Sequence, residues 1–341
     1  MITLSEVNLK DDNEIKNISI FLESLGIKFE ADIDYSVVYK EDDKILASAS
    51  KSKNILKCFG VDKSLQGENI TSVMLTALVN KLCEEEIFHY FLFTKKNNED
   101  VFTSLGFKLL YRGELSSLLE NGIYSIDDKL DTMKKDFNIS GENSAIVLNC
   151  NPYTKGHRYI IEEASKKSKT LLLFIVQEDR SVFSFKDRFE IVKEGVKDIK
   201  NAVVIPGGEY IISSASFPTY FLKKKEEMVL SQAQIDAGIF GKYFCSKFNI
   251  KDRYVGQEPL DFVTNQYNNA LLEELNKFGV KLHIIERLKL GETIVSASSV
   301  RKLIKEDKIS EAFKLLPEAA INFLNSPRGY DVIKKIQGGK R

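Results

Sequence analysis

Residues 144–165 read SAIVLNCNPYTKGHRYIIEEAS, and the order of residue types in that stretch predicts a strand, a turn and a helix. The apolar run Ala145 to Leu148 is a buried-type strand, and Asn149, Asn151, Pro152 and Thr154 supply the turn. From about Gly156 a helical pattern begins, with Ile160, Ile161 and Ala164 behind it. Thr154, Gly156 and His157 stand at the mouth of this helix, spaced T-x-G-H. A helix N-terminus attracts phosphate through free N–H groups and its positive dipole end. Glycine lets the backbone come close to such a ligand, and an imidazole can donate hydrogen bonds to phosphoryl oxygens. Three residues also match by chance, and a histidine at a helix start is often a cap. Here the match follows a buried-type strand directly, as an α/β phosphate site requires.

The 341 residues suffice for about two domains. Lys+Arg and Asp+Glu both number 49, so no global field draws the chain to nucleic acid or to an anionic membrane. Any polyanion it binds is expected to be small and locally held. The four cysteines, Cys58, Cys83, Cys150 and Cys245, are scattered without a C-x-x-C pair or a histidine cluster, and read as reduced thiols rather than metal ligands. The N-terminus has no basic region followed by an apolar core, and runs such as Leu171 to Val176 are too short to span a bilayer. A cytoplasmic location is expected.

Residues 1–115 alternate helix and strand without T-x-G-H: a helix ending at Leu25, a hairpin around Glu41-Asp42-Asp43, a strand from Ile55, a helix from about Asn69 to Glu84, a strand from His89 and a helix-to-strand turn near Phe107. Residues 116–143 read as a structured linker of polar turns and charge. From 144 to 341 strands alternate with helices, including a strand over Ile235 to Phe240, which implies a parallel sheet with right-handed crossovers. Ligands of such sheets sit beyond the carboxyl ends of the strands.

Two further stretches point to that rim. Val295-Ser296-Ala297-Ser298-Ser299-Val300-Arg301 sets hydroxyls at a helix start and a guanidinium one turn in, a donor set for one phosphate or a serine-capped surface helix. Residues 177–188, QEDRSVFSFKDR, leave the second strand and bring Arg180 to the same edge, while Lys186 and Arg188 can be solvated helix charges. Tyr210, Ser213 and Ser214, after the third strand, and Asp236 are candidates for a second pocket, with a polar loop the plain alternative.

Residues 1–115 resemble the GCN5-related N-acetyltransferase (GNAT) fold, with Gly60 to Thr71 where that family places its acyl-CoA pyrophosphate loop. The loop's two small positions fall on Asn69 and Thr71, whose side chains obstruct a close approach, so a docking or structural role is expected over acetyl transfer. The T-x-G-H and S-x-S-x-x-R stretches resemble the T/H-x-G-H nucleotidyltransferases. The resemblance implies a Rossmann-like α/β domain that binds ATP through Asn149, Asn151, Pro152, Tyr153, Thr154, Gly156, His157, Arg180, Ser296, Ser298 and Arg301, with His157, Thr154 and Arg301 catalytic and Mg²⁺ shared with the phosphates.

More specifically, residues 149–159, 209–221, 236–241 and 255–259 are similar to the citrate lyase ligase family, with Gln257 where an acidic residue is expected. That likeness implies activation of acetate by ATP as acetyl-adenylate and its capture by the thiol prosthetic group of the citrate lyase acyl-carrier subunit. Two rivals stay open: an adenylyltransferase acting on a phosphate-bearing small molecule, of dephospho-CoA or NAD type, and a non-catalytic ATP-binding regulator that docks a partner through residues 1–115.

Overall fold

The computed structural model describes residues 2–66, 68–177, 181–211, 217–222, 224–257, 262–291 and 293–338. The chain forms two compact units, residues 1–129 with 217–238 and residues 130–216 with 239–341.

The first unit holds β1 (Ile2–Glu6), α1 (Asp12–Ser24), β2 (Tyr35–Glu41), β3 (Lys44–Ser52), β4 (Ile55–Val61), α2 (Ile70–Glu84), β5 (His89–Lys95), α3 (Glu99–Ser104), β6 (Lys108–Arg112) and β7 (Ser116–Gly122). The sheet runs β1-β2-β3-β4-β5-β7-β6. Met74, Leu78 and Leu82 of α2 recur at helical spacing and are fully buried, in one cluster with Ala47, Leu56 and Leu92 of the strands. β4 and β5 pair in parallel only at Ile55–Phe91 and Leu56–Leu92, whereas the other neighbours are antiparallel. This is the GNAT-like α+β arrangement expected. A cavity of about 690 Å³ is lined by residues of β4 and β5, including Phe59, Gly60 and Thr94, together with Asn69, Thr71 and Tyr220.

α4 (Ile126–Asp136) leads into the second unit. There β8 (Asn143–Leu148), α5 (Lys155–Ser165), β9 (Thr170–Ile175), α6 (Phe185–Gly195) and β10 (Ala202–Pro206) are followed, after α7 (Lys225–Ile239) and α8 (Ser246–Phe248), by β11 (Ile250–Gly256), α9 (Phe262–Asn276) and β12 (Lys281–Ile285). A hairpin of β13 (Lys289–Leu290) and β14 (Thr293–Ile294) precedes α10 (Ala297–Lys305), α11 (Ile309–Lys314), α12 (Glu318–Leu324) and α13 (Pro327–Ile336). The strands pair in parallel in the order β10-β9-β8-β11-β12. Leu171 to Ile175 of β9 are all buried, the pattern of a strand covered on both faces. Chain order reverses between β8 and β11, so their carboxyl ends frame the crevice in which open α/β sheets bind ligands.

Two expectations are corrected. The stretch 116–143 is not a linker: β7 lies between β5 and β6, its residues Ser116 to Glu120 buried, and α4 follows. Polar residues at both ends of β7 had masked its apolar centre, Leu118-Leu119. Residues 235–240 form no strand, because 225–239 is one helix. Ser231, Gln234, Ile235, Asp236 and Ala237 are all buried, so the C-terminal half of α7 has no exposed polar stripe to show its period, and a short apolar run does not by itself separate strand from helix. A Cβ on Gly238 would lie 2.1 Å from the Tyr111 ring, a packing only glycine allows.

Candidate functional site

β8 delivers the loop 149–154 to the carboxyl rim, and Thr154 caps α5 in extended conformation (φ −119°, ψ 166°). Thr154 and His157 form a closed box. The His157 N–H donates to Thr154 Oγ1 (3.3 Å), the Thr154 N–H donates to His157 Nδ1 (3.1 Å), and Thr154 Oγ1 lies 2.8 Å from the same nitrogen. With Nδ1 accepting, a neutral ring carries its proton on Nε2. Burial, and then the positive charge of Arg287, push the imidazolium pKa down to about 4, so at neutral pH His157 is an uncharged donor. The Lys155 N–H donates to the Leu315 carbonyl (2.9 Å). The amides of Thr154, Lys155 and His157 are therefore already bonded within the protein, and the imidazole is a further donor group at this helix start.

The loop is tied to the other two segments. Asn151 Oδ1 accepts from the Phe183 N–H (3.2 Å), and its carbonyl accepts from Arg301 Nη1. Arg188, for which a solvated helix charge is one open reading of the sequence, is fully buried and clamps the rim: its Nη1 donates to Asn149 O, Asn149 Oδ1 and Val176 O, each at 2.8 Å, and its Nε to Phe183 O at 3.2 Å. Ser181 Oγ approaches Asn149 Oδ1 at 3.5 Å. Pro152 follows a cis peptide bond, and Tyr153 is buried, its ring stacked at 6.2 Å from that of His157. Arg158, beside His157, is committed elsewhere, in a forked pair with Asp198 (2.9 and 2.6 Å) and a bond to Glu162 (2.6 Å).

The S-x-S-x-x-R stretch packs directly onto the T-x-G-H helix. A Cβ on Gly156 would lie 2.9 Å from the Val295 carbonyl oxygen, so the glycine admits this neighbouring backbone. Ser296 caps α10, its Oγ accepting from the Ser299 N–H (3.0 Å) and lying 2.9 Å from Ser298 Oγ and 2.7 Å from Ser299 Oγ. Partial burial lowers the pKa of Arg301 from its ordinary value, though an arginine so placed stays charged. Thr154, Gly156, His157, Asn149, Asn151, Ser296, Ser298 and Arg301 thus share one rim, furnished with hydroxyls, an imidazole and a guanidinium.

Arg180, Ser213 and Ser214 lie outside the described residues. Tyr210 is buried, four residues beyond β10, and Asp236 is buried on α7 in the first unit rather than at a strand end. Two residues escaped the sequence reading. One is Arg188. The other is Arg287, just past β12, whose Nε donates to the Gln257 carbonyl. Gln257 is thus joined to Arg287 through its backbone carbonyl.

All these segments fall within the match to the family model described as "Citrate lyase ligase C-terminal domain", which covers residues 143–324, more than half of the chain. The chain belongs to the citrate lyase ligase family. Similar relatives, each named [Citrate [pro-3S]-lyase] ligase, are those of Escherichia coli K12, 31% identical over 94% of this chain and 93% of the relative, and of Haemophilus influenzae, 33% identical over 92% and 96%. The similarity to these citrate lyase ligases therefore takes in the first unit as well. Solved acetyltransferase-type structures resemble that unit: Escherichia coli ElaA, 11% identical, covers 36% of this chain and 99% of its own at a TM-score of 0.30. A GNAT-family acetyltransferase from Staphylococcus aureus, 13% identical, covers 36% and 100% at 0.31. Among the described residues no helix is long and apolar enough to cross a membrane.

Proposed function

We propose that this chain is an ATP-dependent acid–thiol ligase that acetylates the acyl-carrier subunit of citrate lyase. A carboxylate oxygen of acetate attacks the α-phosphorus of ATP, the bond to the β-phosphate oxygen breaks, and pyrophosphate leaves. The thiol of the carrier's CoA-like prosthetic group then attacks the acetyl carbon, AMP departs, and the thiol proton passes to solvent. In-line attack on phosphorus asks for positioning and charge neutralisation more than covalent help. Neutral His157 would donate its Nε2 proton to the polyphosphate without adding a charge to be neutralised, while Ser296, Ser298 and Arg301 would take the leaving oxygens. Tyr210, with Ser213 and Ser214, is our candidate for the acetate or thiol pocket.

The observation that carries this reading is the bond from Arg301 to the Asn151 carbonyl, which joins segments 150 residues apart in the chain into one donor set. Magnesium would come to the site as a passenger on the phosphates. Among the described residues no group of three His, Cys, Asp or Glu is arranged to hold a metal. Cys58, Cys150 and Cys245 are buried free thiols and Cys83 an exposed one, which suits the cytoplasmic setting we propose.

The test is acetate-dependent exchange between ATP and pyrophosphate, followed by acetyl transfer to deacetylated citrate lyase. His157→Ala and Arg301→Ala should each slow exchange by about 10²-fold, the loss usual for a transition-state donor. Near-normal exchange by either variant removes that residue from the site. Exchange that requires a phosphate-bearing acceptor in place of acetate would mark an adenylyltransferase instead, and exchange with no acetyl transfer would overturn the acceptor.

A further inference from the structure

We infer that Arg287 is an additional anion-binding residue of this rim, gripping the nucleotide's polyphosphate from the β12 side while Arg301 grips it from α10; this rests on the nucleotide-binding reading above. The placement follows from the backbone. β12 lies beside β11, and β11 beside β8, with Gly256 in register with Ile285 and Tyr254 with Ile146. The Gln257 N–H donates to the Ile285 carbonyl (2.7 Å), and Arg287 Nε reaches back to the Gln257 carbonyl. The guanidinium is therefore held at the carboxyl end of β11, one of the two strands that frame the crevice. One residue on, the Leu288 carbonyl accepts from the Val295 N–H (3.1 Å), and the Val295 carbonyl is the oxygen that faces Gly156. The segment carrying Arg287 is thus buttressed on one side by the end of β11 and on the other by the S-x-S-x-x-R stretch, next to T-x-G-H.

The charge of Arg287 reaches His157, where after burial it helps to disfavour the imidazolium. Arg287 and Arg301 bring two guanidinium groups to this rim, and their chemical complement is a polyanion. Guanidinium matches phosphate oxygens with a planar fork, which an ammonium does not.

The test uses the full chain, titrated calorimetrically with inorganic pyrophosphate and with ATP. Arg287→Gln should weaken pyrophosphate binding by roughly tenfold or more, and Arg287→Lys should lose less, because the charge remains. With three histidines in the chain, the His157 ring can be followed by NMR, and its protonation in Arg287→Gln should move to higher pH. Pyrophosphate binding unchanged in Arg287→Gln while the His157 resonance moves would overturn the inference alone. Failure of the wild-type chain to bind either ligand would instead overturn the nucleotide-binding reading, and the inference with it. Should Arg287→Gln fail to fold, labelling of the wild-type chain with phenylglyoxal, read at Arg287 by peptide mass spectrometry, decides the matter. Protection by pyrophosphate supports the assignment, and labelling that pyrophosphate does not slow overturns it.

Discussion

At the scale of single residues, His157 couples the chemistry of the rim to pH. Its folded pKa is pushed down to about 4, against an unfolded value of about 6.5. Between those values the unfolded chain holds a proton the folded chain lacks, so stability rises with pH, and acidification from about 6.5 towards 4 removes up to roughly 3 kcal/mol. Below about 4 both states are protonated and this contribution changes no further. Urea unfolding at pH 7 and pH 5 should show a larger loss for the wild type than for His157→Gln, and equal losses would refute the assignment. The residue types at positions 154, 156, 157, 298 and 301 were legible in the sequence because a helix start and a phosphate both select for them. Arg188 was not, since a buried arginine satisfied by carbonyls of distant turns looks in one dimension like any solvated helix charge.

At the scale of elements, the site depends on how closely α5 approaches the chain entering α10. Gly156→Ala sets two effects against each other: alanine favours a helix by about 1 kcal/mol, while its methyl would stand 2.9 Å from a backbone oxygen that cannot swing aside. Overpacking of this kind costs about 1–3 kcal/mol, and we expect it to win. Gly156→Ala should therefore melt lower and bind ATP less tightly, because the Val295–Arg301 segment moves off the T-x-G-H loop. A variant that melts higher with unchanged ATP affinity would contradict the packing described. Sequence patterns placed α5, α6 and the parallel strands well, since their apolar residues are periodic or continuous. They misplaced α7 and missed β7, whose surroundings bury residues on every side and erase the period.

At the scale of the whole molecule, the chain does not divide where its motifs do. Residues 217–238 belong to the first unit although they lie between β10 and β11 of the second. There the Tyr220 hydroxyl donates to the Phe93 carbonyl (2.5 Å), Gln234 Oε1 accepts from the Glu114 N–H (2.9 Å), Ser231 bonds Ser116, and Gly238 rests on Tyr111. A chain begun at residue 143 keeps the family-model match but strands this segment, leaving Ile235, Ala237 and the polar side chains of Ser231 and Gln234 without their partners. It should aggregate or unfold without cooperativity, as size-exclusion chromatography and thermal melting would report. A monomeric, sharply melting product would show that 217–238 does not need the first unit.

By itself the sequence determined the strand–turn–helix of the nucleotide loop, the phosphate chemistry of the residues on it and the family to which they point, because those are local properties of spacing and residue type. Only the tertiary structure decided that Arg301 lies on the Asn151 carbonyl, that Arg188 braces the rim, that Arg287 lies on the Gln257 carbonyl and that nearly all of α7 belongs to the first unit. Each is a contact between segments far apart in the chain, set by sheet order and close packing, which no local pattern encodes.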